Sequence, residues 1–140
     1  MSESDLGKLK RKLKKEENST YVKFEEAAEI FSELLMFKQA GQCYFSGKSF
    51  QKAFESFSKA FMNKQAGESL EMLNKYREAS EYYEKEGCYL KVIECLDMVN
   101  EWEEILQVIQ RYSHLMSELE KQTLFKKYSA LALQELVYEI

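Results

Sequence analysis

Aromatic residues recur along this chain at a fixed step. Phe24, Phe50, Tyr76 and Trp102 each stand 26 positions after the last. Each opens the same pattern of an aromatic residue, two polar residues, then a small or apolar one, as in Phe50-Gln51-Lys52-Ala53 and Tyr76-Arg77-Glu78-Ala79. An apolar residue follows seven positions after each aromatic: Phe31, Phe57, Tyr83 and Ile109. The string Lys38-Gln39-Ala40-Gly41 returns unchanged as Lys64-Gln65-Ala66-Gly67. A fixed period of this length is the signature of stacked structural repeats. Such stacks usually form binding surfaces, so the period bears on function as well as on fold.

Each period has room for two helices of about 11 residues joined by short turns. The pattern predicts helices over about 36–46, 49–60, 63–72, 75–86, 88–98 and 101–111, preceded by one over about 20–34. Ser19 or Thr20 is the expected cap of that earlier helix. Gly47 and Gly87 end theirs, Gly87 in a left-handed C-cap, and Asn74 and Asn100 are matching turn or N-cap residues. A helix this short spans only about 16 Å and is marginal alone, so packing must stabilise it. After Tyr112 the pattern loosens. Leu115, Leu119, Leu124, Tyr128, Leu131, Leu136 and Val137 predict a helical C-terminal segment with a longer last helix. The expected organisation is a basic leading segment over 1–19, partly helical or flexible, helical repeats over 20–112, and the C-terminal helical segment over 113–140.

Composition agrees with helix throughout. The 140 residues include no proline and only five glycines. The length allows one domain or a piece of a longer array. No run of 18 apolar residues exists, and the N-terminus lacks a signal-peptide apolar region. Cys43, Cys88 and Cys95 are odd in number and contain no close pair. They read as reduced thiols of an intracellular protein, cytoplasmic or nuclear, not as a disulfide framework. Charge is uneven. Residues 1–17 hold six basic and four acidic residues, net +2, which leaves −6 for residues 18–140 of a chain at −4. An acidic repeat body argues against nucleic acid as the main partner, because phosphate binding needs clustered Lys and Arg.

Within one period the residues resemble the tetratricopeptide (TPR) pattern. Phe37, Ala40, Gly41 and Tyr44 match its first-helix positions, and Ala53, Phe57 and Ala60 its second-helix positions. Gly41 and Ala53 let two helices approach, while Phe37, Tyr44 and Phe57 fill the space beside that contact. Ala66, Gly67, Leu70, Ala79 and Tyr83 repeat the arrangement, whereas Ile93 and Ile105 replace its glycine and alanine in the third copy. The period departs from the family's length of about 34 residues, and its closing proline is absent. A closer resemblance covers about residues 24–137. The string Lys75-Tyr76-Arg77-Glu78-Ala79-Ser80-Glu81-Tyr82-Tyr83, the stretch Cys88 to Cys95, the Trp102-Glu103-Glu104 turn and the tail from Arg111 to Ala132 look like the short helical repeats of the TPR-and-ankyrin-repeat family of large helicase-like proteins. Related short repeats occur in coat and intraflagellar-transport proteins. In the helicase-like family the ATPase motor lies outside the repeats, so the resemblance implies no ATPase activity here.

The residues offer little to catalysis. His114 is the only histidine, which excludes multi-histidine metal clusters. No phosphate-binding glycine loop is present. Cys88 and Cys95 fall on one face of a predicted helix but lack the remaining ligands of a metal site. No cofactor, no metal and no enzymatic activity are expected. The leading segment sets Leu6, Leu9 and Leu13 at helical spacing among six cations, which reads as a solvated leading helix, an anionic-surface contact or an import-like patch.

The expectation is an all-α solenoid of short TPR-like helix pairs acting as a protein-interaction scaffold. In TPR geometry the first helix of each pair lines the inner surface. That register places Lys38, Gln42, Phe45, Lys64, Glu68, Glu71, Leu90, Glu94 and Asp97 there. Such a surface suits a protein or peptide segment carrying Lys or Arg and some apolar anchors. Two alternatives stand beside it. One is a structural arm of a larger helicase-like or coat and transport protein, with no free ligand. The other is nucleic-acid contact through the basic N-terminus.

Overall fold

The computed structural model describes residues 3–139. Among the described residues the secondary structure is helical, with no strand. Eight α-helices follow one another: α1 (Glu3–Glu33), α2 (Phe37–Ser46), α3 (Phe50–Lys59), α4 (Asn63–Met72), α5 (Tyr76–Lys85), α6 (Tyr89–Met98), α7 (Trp102–Arg111) and α8 (Glu118–Glu139). A 3-10 turn, Ser113–Leu115, separates the last two. None of the described helices is long and apolar enough to cross a membrane.

The helices α2 to α7 are each ten residues long, and their first residues step by thirteen. Local chemistry sets that step. Leu35, Lys48, Phe61, Asn74, Gly87 and Asn100 all have φ between 56° and 69°, the left-handed region. At Leu35 the amide donates to the Ser32 carbonyl, and the Met36 amide donates to the Phe31 carbonyl. The same two bonds recur after α2 to α6, for example Asn74 to Glu71 and Lys75 to Leu70. This is the Schellman arrangement, which satisfies carbonyls that a helix end would otherwise leave orphaned. The next residue re-enters helix at once. Its carbonyl accepts from the amide of Ala40, Ala53, Ala66, Ala79, Val92 or Ile105, four residues on.

Each helix therefore ends and begins within three residues. Only Gly87 takes the left-handed position without a Cβ penalty. Asn74 and Asn100 occupy it as turn residues, not as N-caps, because the caps are Lys75 and Glu101. No side-chain hydrogen bond is made by those caps.

The expected start near residue 20 is replaced by one continuous helix from Glu3. Nothing between Glu3 and Thr20 stops it, and Thr20 Oγ1 donates to the Glu16 carbonyl one turn back, at 3.0 Å. A hydroxyl engaged inside the helix is not available as a cap. The longer last helix expected from the sequence is α8.

The chain divides into two compact units, one up to Ser69 and one from Leu70 onward. In the first unit the core is Ala28, Ala40, Tyr44, Ala53 and Phe57, with Gly41 against the Phe57 ring. An added Cβ at Gly41 would lie 2.7 Å from two atoms of that ring, so α2 and α3 approach as closely as glycine permits. In the second unit Leu70, Ala79, Tyr83, Val92, Leu96, Ile105 and Ile109 are buried. Full burial of one aliphatic side chain of this size stabilises by about 1.5–3 kcal/mol, which is what short helices need to persist.

Ion pairs tie alternate helices inside each unit. In the first, Lys52 on α3 pairs with Glu25 on α1. In the second, Arg77 on α5 reaches Glu104 at 3.0 Å and Glu101 at 3.4 Å, and Arg111 on α7 pairs with Glu84 on α5. The pairing raises the pKa of Lys52, through its hydrogen bond with Glu25, and that of Arg77, through its bond with Glu104. These are exposed pairs, screened by water and salt, so they contribute little to stability.

Candidate functional site

The residues expected on the inner surface divide between the two units. In the first, Lys38 and Gln42 stand exposed one turn apart on α2, and Lys64 is exposed on α4 with Glu68 half-buried one turn on. Phe45 is not a free anchor. Its ring meets Phe50 edge-on at 5.1 Å across the α2–α3 turn, and it is half-buried.

The second unit brings three of the four expected carboxylates together. Glu71 at the end of α4 and Glu94 and Asp97 on α6 line one cleft of about 320 Å³. Tyr76, Cys95 and Met98 complete its wall. The spacing explains this: Glu94 and Asp97 are three apart on one face of α6, and α4 ends beside them. Leu90, half exposed, lies one turn earlier and borders a separate shallow depression with Tyr89 and Lys91.

A lysine that sequence reasoning overlooked organises this cleft. Lys91 Nζ sits 3.2 Å from Glu71 Oε1 and 3.1 Å from Glu94 Oε2. Burial opposes its charge, but the hydrogen bonds with Glu94 and Glu71 outweigh that and raise its pKa. Glu71 is the more enclosed partner, its side chain 26% exposed against 66% for Glu94. Cys95 Sγ donates to Glu71 Oε1 at 3.7 Å. Burial first, and then the Glu71 carboxylate, push the Cys95 thiol up to about 12. The thiol is therefore a neutral packed donor rather than a nucleophile. Formally the cleft holds three carboxylates and one ammonium, net −2, and Glu94 is the most exposed of the three acids.

A second depression, about 510 Å³, lies between α7 and α8, with Leu106, Ile109 and Phe125 as its apolar part and Lys121 and Gln122 at its edge. Only the Leu106–Ile109 spacing hinted at it in the sequence, because the pattern loosens along α8. Aromatic contacts fasten the same region. Trp102 stacks on Tyr128 at 5.9 Å, and Tyr89 on Tyr112 at 5.7 Å. Burial raises the pKa of Tyr112 and Tyr128, with Glu84 adding to the first and Asp97 to the second. Among the described residues no group of three or more His, Cys, Asp or Glu side chains is arranged to hold a metal ion. His114 is exposed within the 3-10 turn.

With this geometry in place, comparison with known proteins identifies no relative: no family model, no curated protein and no solved structure matches the chain.

Proposed function

We propose that this chain is an α-solenoid of short TPR-like helix pairs with a 26-residue period, and that it binds a basic segment of another protein. Three features support the solenoid reading. Helix starts step by thirteen, each left-handed turn repeats the same two hydrogen bonds, and ion pairs join alternate helices inside each unit. Helices that pair with the next but one are what stacked repeats require. The resemblance to the TPR-and-ankyrin-repeat family belongs to this proposal.

The observation that carries the binding reading is the cleft of Glu71, Glu94 and Asp97, with Tyr76 and Met98 beside them. Carboxylates rimmed by apolar surface suit a segment that offers Lys or Arg next to an aliphatic anchor. The competing reading is a structural arm that binds no free ligand. Lys91 favours it, because an internal cation already occupies two of the three carboxylates.

Fluorescence anisotropy with three peptides of one apolar sequence, carrying basic, neutral or acidic flanks, separates the two. The basic peptide should bind best, and added salt should weaken it. Glu94→Lys with Asp97→Lys should reverse the order. Both Glu71 and Glu94 pair with Lys91, but Glu71 is the more enclosed, so a cation placed there could not turn away into water as one at position 94 can. If the basic peptide binds no better than the acidic one, the arm reading replaces this one.

A further inference from the structure

The N-terminal half of α1 has no role in the cleft or the core. From Gly7 to Lys15 six of nine residues are cations and none is an acid. Of the residues from Asp5 to Thr20 whose burial is described, all but Gly7 are exposed. Packing begins near Tyr21, whose ring lies 5.0 Å from Lys48 Nζ. The helix before it is an arm about 27 Å long.

Its charges oppose its own helix. Lys8–Lys12, Lys10–Lys14 and Arg11–Lys15 are like-charge neighbours four apart, and Lys8–Arg11, Arg11–Lys14 and Lys12–Lys15 three apart. An arm that buries nothing and repels itself gains most from a surface that neutralises it. The arm is also two-faced. Leu6 and Leu9, each 43% exposed, share one side a turn apart. Lys8, Arg11 and Lys15 fall on the opposite side, and Lys10, Lys12 and Lys14 lie between the two sides.

We propose that this arm binds the surface of an anionic phospholipid bilayer, lying flat with Leu6 and Leu9 toward the acyl boundary and its cations among the headgroups. Clusters of four to eight cations on an amphipathic helix suit such lipids. A nucleic-acid backbone would neutralise the same cations but offers the leucines no apolar seat. In the sequence, Glu3, Asp5, Glu16 and Glu17 lie at the two ends of the arm and leave it a net charge of +2, with the six cations grouped between them. They do not cancel the arm's attraction to an anionic surface.

Co-sedimentation of the full chain with phosphatidylcholine vesicles, with and without phosphatidylserine, tests this. The chain should partition onto the phosphatidylserine vesicles only and be released by salt. Each cation near such a surface changes the partition about five-fold. Replacing Lys10, Arg11, Lys12 and Lys14 together by Gln should lower it several-hundred-fold, with the melting of the core unchanged. Leu6→Gln with Leu9→Gln should also weaken partition. Partition by the four-fold variant at the original level overturns the proposal, as does equal partition onto neutral vesicles. Unchanged partition by the leucine variant overturns the two-faced seat. A duplex DNA bound more tightly than the vesicles, and lost in the four-fold variant, makes the arm a nucleic-acid contact instead.

Discussion

Replacing Gly41 by alanine tests the closest helix approach in the first unit. Two effects compete. Alanine favours helix over glycine by about 1 kcal/mol. Against this, the new methyl would stand 2.7 Å from Phe57 Cδ1 and Cε1 and 3.0 Å from Cγ. Turning the ring about its own axis does not relieve the contact, because Cγ lies on that axis. Phe57 must shift χ1, at about 0.5–1.5 kcal/mol, or α2 must move. The ring is 3% exposed and has no open space to enter. Overpacking of this kind costs about 1–3 kcal/mol, so the net expectation is a loss of about 1 kcal/mol. Urea unfolding followed by circular dichroism gives the total. Hydrogen exchange of α2 and α3 amides localises it, since Trp102 lies in the second unit and is silent here. Gly7→Ala is the control. Nothing lies within 4 Å of its added methyl, so the core midpoint should move by less than about 0.5 kcal/mol. Phe57→Leu should rescue Gly41→Ala in a double-mutant cycle. If Gly41→Ala stabilises α2 and α3, the close approach is not real and the helix register is wrong.

Three further outcomes concern the turns and Cys95. Gly87→Ala should destabilise by about 1 kcal/mol, because φ is +69° there. Phe61→Gly should stabilise by up to about 1 kcal/mol, since Phe61 holds φ at 56° while 86% exposed; thermal melts of both variants check the opposed signs. Cys95 should make the second unit sensitive to alkali. Burial and the Glu71 carboxylate push its folded pKa up to about 12, above the ordinary thiol value of 9.0, so its contribution is complete below pH 9 and falls away between pH 9 and 12. At pH 10 the loss is on the order of 1 kcal/mol, and it should vanish in Cys95→Ala when midpoints at neutral and alkaline pH are compared. An equal alkaline loss in that variant would place the cause elsewhere.

Local signals determined most of the helix positions. The apolar step, together with Gly47, Gly87, Asn74 and Asn100, placed the six ten-residue helices α2 to α7 to within a residue or so at either end. That information is short-range: a residue that accepts positive φ, an apolar position one turn away, and no proline. Leu35, Lys48 and Phe61 take the same left-handed position with side chains that give no such signal. Their conformation is imposed by the Schellman bonds and the packing on both sides. The continuity of α1 was likewise hidden, since Ser19 and Thr20 are as suitable for a cap as for a solvated helix face.

The candidate site was legible only in part. Its carboxylates followed from helical spacing, because Glu94 and Asp97 share a face of α6 wherever that helix lies. Tertiary structure alone decided that Lys91 reaches Glu71, 20 residues earlier, and that Cys95 donates to the same carboxylate from 24 residues on. It alone decided that Phe45 rests on Phe50 and that α7 and α8 leave an apolar hollow between them. Helical periodicity records which residues share a face. It does not record which neighbouring helix that face meets, and an ion pair forms only where two faces come within a few ångströms.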